Sequence, residues 1–476
     1  MPRGSSGGGV SALTGAIVVK LRKPARLRNI EAPFILGAIL LVAGAIALVE
    51  VGAGAAFDAM LSWELIGLAV VVIALHVVLR VVAPDADPFV VPIAVLLGGL
   101  GIAEIHRLDL AAGLSGWDAY ATRQVVWTAI ALVLAVATLL VIRNHRVLAR
   151  YRYLAMLVGI VLLVLPMLPG IGKEVNGARL WVELGPMSFQ PGEFAKVALA
   201  IFFAGYLVTA RDSLSMVSTR FLGMRLPRAR DLGPILVVFA ASMVVLVVQR
   251  DLGTALLYFG LFLGMLYVAT GRASWIVIGL LLFAGGAIAA SQLLGYVNSR
   301  FAAWLDAFNP EHFDAIGGSY QLVVGMFGLA AGGTFGTGLG RGRPDITPLA
   351  ESDFIMAALG EELGLVGVFA ILALLLLFVG RAFRIGFAGT DDFGRLLAVG
   401  LGFAFALQVF VVVGGVTRVI PLTGLTTPFL AAGGSSLVAN WIIVALLLRL
   451  SDAIRTGPRI VIESASGDQP RLVVGA

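Results

Sequence analysis

The chain has 476 residues, 59% hydrophobic and only 13% charged, with a mean hydropathy of +0.99 and a formal net charge of +6. No water-soluble fold of this length buries so much apolar surface, so the composition excludes a soluble domain and predicts an all-α polytopic membrane protein. The absence of cysteine removes disulfides and thiolate chemistry. The four histidines have no metal-ligand spacing, and the basic residues fall between apolar spans, where membrane-flanking loops explain them better than nucleic acid does.

The first 30 residues are Gly/Ser-rich and then basic, and are expected to be flexible. Apolar runs long enough to cross a bilayer follow at 33–51, 61–82, 89–105, 125–142, 153–168, 194–209, 234–248, 252–270, 275–294, 354–383, 396–416 and 429–450, about twelve in all. Lys20, Arg22, Lys23, Arg26 and Arg28 precede the first span. Further basic clusters recur on the same side at Arg143 to Arg152, Arg211 to Arg230, Arg381 and Arg384, and Arg449 to Arg459. This asymmetry predicts that both termini are cytoplasmic. The small-residue run at 52–56 has the composition of a cleavage site, but the apolar stretch before it exceeds a signal-peptide h-region, so an uncleaved anchor is expected. The tail beyond Arg459 is polar and is expected to lack structure.

Two loops on the far side, 169–192 and 295–352, are too long to be simple connectors. The glycine-rich stretch Gly332 to Gly340 looks superficially like a phosphate cradle, but it lacks a Lys-Ser/Thr ending and follows no strand. A re-entrant or interfacial turn packed on protein is the better expectation. At the end of this loop, Asp353 runs straight into a very apolar helix that also carries Glu361 and Glu362. A carboxylate at a water–bilayer boundary suits a base acting on a lipid-linked substrate; helix capping competes as an explanation. Glu193 and Lys196 share one helix face, either as a stabilising ion pair or as functional groups. Arg250-Asp251 suits a local salt bridge or helix cap almost as well as a substrate role. Gly433-Gly434-Ser435-Ser436 suits close helix packing.

Five ordered segments bear a family resemblance. They are Asn176-Gly177-Ala178-Arg179-Leu180-Trp181; Phe189-Gln190-Pro191-Gly192-Glu193-Phe194-Ala195-Lys196; Gln249-Arg250-Asp251-Leu252-Gly253-Thr254; Ser352-Asp353-Phe354-Ile355 with Gly360-Glu361-Glu362-Leu363-Gly364; and Pro421-Leu422-Thr423-Gly424 through Pro428-Phe429 to Ser436. Together they resemble the signatures of the SEDS proteins, the RodA/FtsW/SpoVE family, most closely its RodA-like members in high-GC Gram-positive bacteria. Gly192, Arg250 and Ala431-Ala432 depart from the usual residues. The family has about ten spans, three of them before the Asn-Gly-Ala loop, against five here. Two extra N-terminal helices are therefore implied within residues 31–150, ahead of a SEDS-like core at 151–452 and a cytoplasmic tail at 453–476.

The resemblance implies a peptidoglycan glycosyltransferase of the cytoplasmic membrane that polymerises lipid II on the outer face and releases undecaprenyl pyrophosphate, in elongation or division. It makes Asp353 the catalytic base and Arg179, Glu193, Lys196, Arg250, Asp251, Ser435 and Ser436 the substrate-binding candidates, with Glu193 orienting Lys196. A divalent cation, Mg or Mn, is compatible with pyrophosphate departure, although no ligand cluster is legible. A class B penicillin-binding protein is the implied partner. The competing expectation is a lipid II flippase or proton-coupled transporter, served by the intramembrane acids but without an inverted repeat.

Overall fold

The computed structural model describes residues 25–456 apart from 176, 185–186, 215–216, 222–223, 228–232 and 316–317, together with 459–464 and 470–475. The expected flexible N-terminus lies outside the described residues up to position 24, as does Asn176 of the first motif. Sixteen helices make up the body: α1 (Ala25–Ala53), α2 (Ala59–Val82), α3 (Val90–Ala112), α4 (Tyr120–Val141), α5 (Arg146–Arg150), α6 (Arg152–Val164), α7 (Pro191–Leu214), α8 (Gly233–Gln249), α9 (Leu252–Thr270) and α10 (Ala273–Leu293), followed by α11 (Gly295–Leu305), α12 (Pro310–Phe313), α13 (Tyr320–Gly332), α14 (Ile355–Ala388), α15 (Asp392–Val416) and α16 (Gly434–Thr456). Among the described residues, ten of these are long and apolar enough to cross a membrane: α1 to α4, α7, α9, α10 and α14 to α16. The protein is an all-α multi-pass membrane protein. Two of the twelve expected spans, 153–168 and 234–248, fall on the shorter apolar helices α6 and α8.

Local signals set the helix ends. Asp58, Asp251 and Asp391 cap α2, α9 and α15 by accepting from Leu61 N, Thr254 N and Gly394 N at 3.1, 3.0 and 2.8 Å. Gly113 and Gly271 close α3 and α9 in the left-handed conformation. α3, α15 and α16 form the most enclosed layer, and α2 and α10 keep most of their apolar surface outward. One end of the bundle is fastened by buried ion pairs. Glu31 of α1 meets Arg28 and His76 of α2, both at 2.6 Å, and Asp87 binds Arg381 of α14 and Arg455 of α16.

The long loops are structured. Residues 172–189 form a three-stranded antiparallel sheet, β1 (Gly172–Val175), β2 (Ala178–Leu184) and β3 (Met187–Phe189). Between α7 and α8 lies the hairpin β4 (Val217–Phe221) and β5 (Met224–Pro227). The tail expected to lack structure instead pairs as β6 (Arg459–Ser464) and β7 (Pro470–Gly475), because its apolar runs Ile460-Val461-Ile462 and Leu472-Val473-Val474, rich in β-branched residues, suit a strand.

The glycine-rich stretch plugs a break in α14. Gly364 has φ 68° and ψ −173°, a region essentially restricted to glycine, so the carbonyls of Glu361 and Glu362 lose their helical donors. Thr337 N and Gly338 N donate to those carbonyls at 3.0 and 2.9 Å, while Leu365 N and Val366 N donate to Gly333 O and Thr334 O. Every freed backbone group named here is repaired by the loop, as a lipid-embedded segment requires. A Cβ at Gly364 would run into the backbone of 334–336. Gly364→Ala is therefore expected to cost more than about 2 kcal/mol; a thermal melt in detergent unchanged from wild type would contradict this account.

Candidate active site

Four segments converge around Asp353: the start of α9, α11, the turn at 347–354 and the loop at 417–433. Arg300 of α11 donates to Leu422 O and Thr423 O at 3.2 Å each, and Ala432 N donates to Glu351 O at 2.8 Å. A Cβ placed on Gly424 would lie 3.9 Å from Asp353 Oδ2. The charges that Asp353 feels are Arg300, Glu351 and Asp251. Burial pushes its carboxyl up to about 6, against the pull of the Arg300 guanidinium and with the help of the two acids. The capping explanation for Asp353 fails, since the N-cap of α14 is Phe354 and carries no side-chain cap hydrogen bond.

Backbone strain gathers at the same place. Among the described residues the non-glycine positions with positive φ are Arg250, Leu349, Arg418 and Phe429. They flank Asp251, lead into the Asp353 turn and bracket the 417–433 loop. Such conformations persist only where the surroundings enforce them, and they favour functional sites. Asp251 is buried and its pKa is raised by that burial. It caps α9 through Oδ1 and leaves Oδ2 without a partner. The cap role anticipated for Asp251 is thus real, with one oxygen to spare. Tyr296 of α11, half-buried and pushed up to about 12, stays a neutral phenol.

The other expected site residues separate into layers. Arg250 is exposed beside Asp251. Arg179 is exposed on β2 and pairs with Glu174 of β1 at 3.0 Å, within its own sheet. Lys196 and Glu193 are buried one layer behind the loop. The Lys196 amine meets Glu193 at 2.6 Å and Gln408 Oε1 at 2.8 Å, and Gln408 Nε2 donates to Thr426 O at 2.9 Å. Ser435 accepts from Gln190 N at 2.9 Å, and Ser436 lies 3.4 Å from Thr426 Oγ1. Lys196, through Gln408, and Ser436 thus brace the loop at Thr426, Glu193 holds Lys196, and Ser435 ties α16 to the entry of α7. Both Glu361 and Glu362 are buried.

Sequence reasoning did not single out Arg300, Glu104 or Arg107. Glu104 and Arg107, three residues apart inside an apolar span, were findable by the rarity of charge there. Arg107 Nε donates to Glu362 at 3.0 Å, and both Glu104 oxygens are buried without a partner. Among the described residues no group of three or more His, Asp or Glu is gathered to hold a metal ion.

The model of the FtsW/RodA/SpoVE cell cycle proteins matches residues 87–456. The chain belongs to this family. The match begins after α1 and α2, so the two helices counted as extra lie outside it. Peptidoglycan glycosyltransferase RodA of Mycobacterium tuberculosis is 46% identical over 391 residues, covering 81% of this chain and 82% of the relative. The crystal structure of the Thermus thermophilus rod shape determining protein RodA aligns with a TM-score of 0.56 and 25% identity, covering 78% of this chain and 98% of that one. A peptidoglycan synthase complex, described as coordinating polymerization and crosslinking, contains a chain that aligns with a TM-score of 0.61 and 26% identity over 78% of this chain and 99% of that one.

Proposed function

We propose that this protein polymerises lipid II into glycan strands, with Asp353 as general base. The observation that carries the reading is a carboxylate with a pKa of about 6, on a turn at the mouth of a spanning helix, facing Arg300 and beside a loop under strain. At neutral pH most of this group is ionised and basic enough to take a proton. The acceptor's GlcNAc 4-hydroxyl attacks the anomeric carbon of the donor MurNAc, its proton passes to Asp353, and the bond to pyrophosphate breaks. Undecaprenyl pyrophosphate departs without protonation, so the pair of carboxylates that a glycosidase needs is not required. Arg300, beside Asp353, and Arg250, exposed at the start of α9, supply cationic charge for the departing pyrophosphate, while Asp251 stays buried and positions that turn as the cap of α9. Arg179 extends from the sheet as an outer contact, while Lys196 (held by Glu193) and Ser436 act on substrate through the loop they hold, and Ser435 through the entry of α7.

The basic-residue asymmetry supports placing both termini in the cytoplasm and Asp353 on the outer face of the cytoplasmic membrane. The likeness to a chain of a synthase complex supports a class B penicillin-binding protein as partner. Reconstitution with lipid II tests the reading: glycan polymer that disappears in Asp353→Ala protein supports it. Transbilayer movement of lipid II without polymer would favour transport instead.

Arg300 gives a second test. Its charge holds the Asp353 pKa down, so Arg300→Leu is expected to move the acid limb of the rate profile to higher pH as well as to slow turnover. A slower variant with an unmoved profile would separate Arg300 from the base.

A further inference from the structure

The two helices outside the family match do more than lengthen the bundle. α1 packs chiefly along α3 and α2 chiefly along α4, leaving a cleft of about 280 Å³ between them. Val42 and Ile46 of α1 and Leu65 and Val72 of α2 form its walls; Gly98 of α3 and Trp441 of α16 form its floor. Gly98 leaves the floor open, since a Cβ there would meet only Phe429 O at 4.0 Å. The rim residues Ala43, Ala47 and Ile66 are exposed along two helices apolar enough to span a membrane. Water has few partners in such a space, and hydrocarbon surrounds its opening.

We propose that this cleft is a binding site for an acyl chain of a bilayer phospholipid. The end nearer Asp353, where Gly52 packs on Leu339 of the glycine-rich stretch, is lined by Glu50. The Glu50 carboxylate accepts from Asp58 N at 3.0 Å and lies 3.5 Å from His106 Nε2. A carboxylate there suits an ammonium headgroup and opposes a pyrophosphate, so the occupant is a phosphatidylethanolamine-type lipid and not the polyprenyl chain of a substrate. The floor also leads to the active-site loop. Trp441 meets Phe429 edge to face, with ring centroids 6.0 Å apart, and Phe429 lies on the loop that reaches Asp353 at Gly424. A chain in the cleft therefore reaches that loop through Trp441 and Phe429, at residues other than the Thr426 that Gln408 holds.

The test uses the full-length protein in detergent with phosphatidylethanolamine carrying a mid-chain diazirine. Saturable labelling of the α1 and α2 peptides facing the cleft is expected, against non-saturating labelling around Leu376, which lies exposed on α14. Ala69→Phe fills the cleft from α2, and Ala43→Phe fills it from the exposed rim of α1, where folding is least at risk; each is expected to abolish the saturable fraction. Undecaprenyl phosphate in excess is expected not to compete. Labelling no more saturable than at Leu376, labelling that survives both substitutions in folded protein, or competition by undecaprenyl phosphate would each overturn the proposal.

Discussion

Asp353→Asn protein is expected to form no glycan polymer yet to melt at a higher temperature than the unsubstituted chain at neutral pH. The two effects share one cause. Burial raises the folded-state pKa of Asp353 from 3.8 to about 6, which means that the fold favours the neutral acid. The stability contributed by that neutral form is complete below pH 4 and is lost as pH rises through 6. Above pH 6 the ionised carboxylate is a standing cost of about 1–2 kcal/mol, once solvent access and the Arg300 charge are discounted. Asparagine keeps the shape and removes the charge, and with it the base. The gain in melting temperature should therefore shrink as pH falls from 6 towards 4, over the range in which wild-type activity also fades. An asparagine variant that melts lower at neutral pH would show that burial does not strain the carboxylate, and one that retains polymerisation would show that the carboxylate is not the base.

The spans were legible because hydropathy and positive-inside asymmetry depend only on composition along the chain, and ten of the twelve expected runs became helices long enough to cross. Asp353 was legible because a carboxylate at the edge of an apolar helix is conspicuous. Its neighbours were not. Arg300 lies 53 residues upstream, in a loop with other arginines, and only the fold brings it to the carbonyls of Leu422 and Thr423. Lys196 stands out in the sequence by its charge, but that Glu193 and Gln408 take two of its three donors in the interior is visible only in the fold. The glycine-rich stretch was read as a packed turn, but the break it repairs at Gly364 requires a backbone angle that no periodicity reveals. Likewise the cleft beside α1 and α2 arises from how two helices splay, which their similar apolar compositions do not encode.

Arg107→Met carries the largest expected loss of stability, about 3–5 kcal/mol, because it leaves a buried carboxylate without its cation. Glu362 is fully buried and accepts from Arg107 Nε at 3.0 Å, Gly340 N at 2.7 Å and Gly342 N at 3.3 Å. Arg107 also donates to Gly342 O at 2.7 Å, so it ties α3 to both the glycine-rich stretch and α14. With the guanidinium gone, two amides must support Glu362 alone, near a Glu104 carboxyl group whose oxygens have no hydrogen-bond partner. Arg107→Met/Glu362→Gln should recover part of the loss, since glutamine carries no charge and its one carbonyl oxygen still accepts from one of the two amides, which donate to different oxygens of the carboxylate. Lys173→Met supplies the contrast: its partner Glu183 is exposed, so that change should cost no more than about 1 kcal/mol. The measurement is the melting temperature and the monodisperse yield of all three proteins in one detergent. Equal losses in Arg107→Met and Lys173→Met would mean that water reaches the Glu362 cluster. A double variant no better than the single would mean that Arg107 acts by packing, not by charge, in holding the glycine-rich stretch against the broken helix that begins beside Asp353.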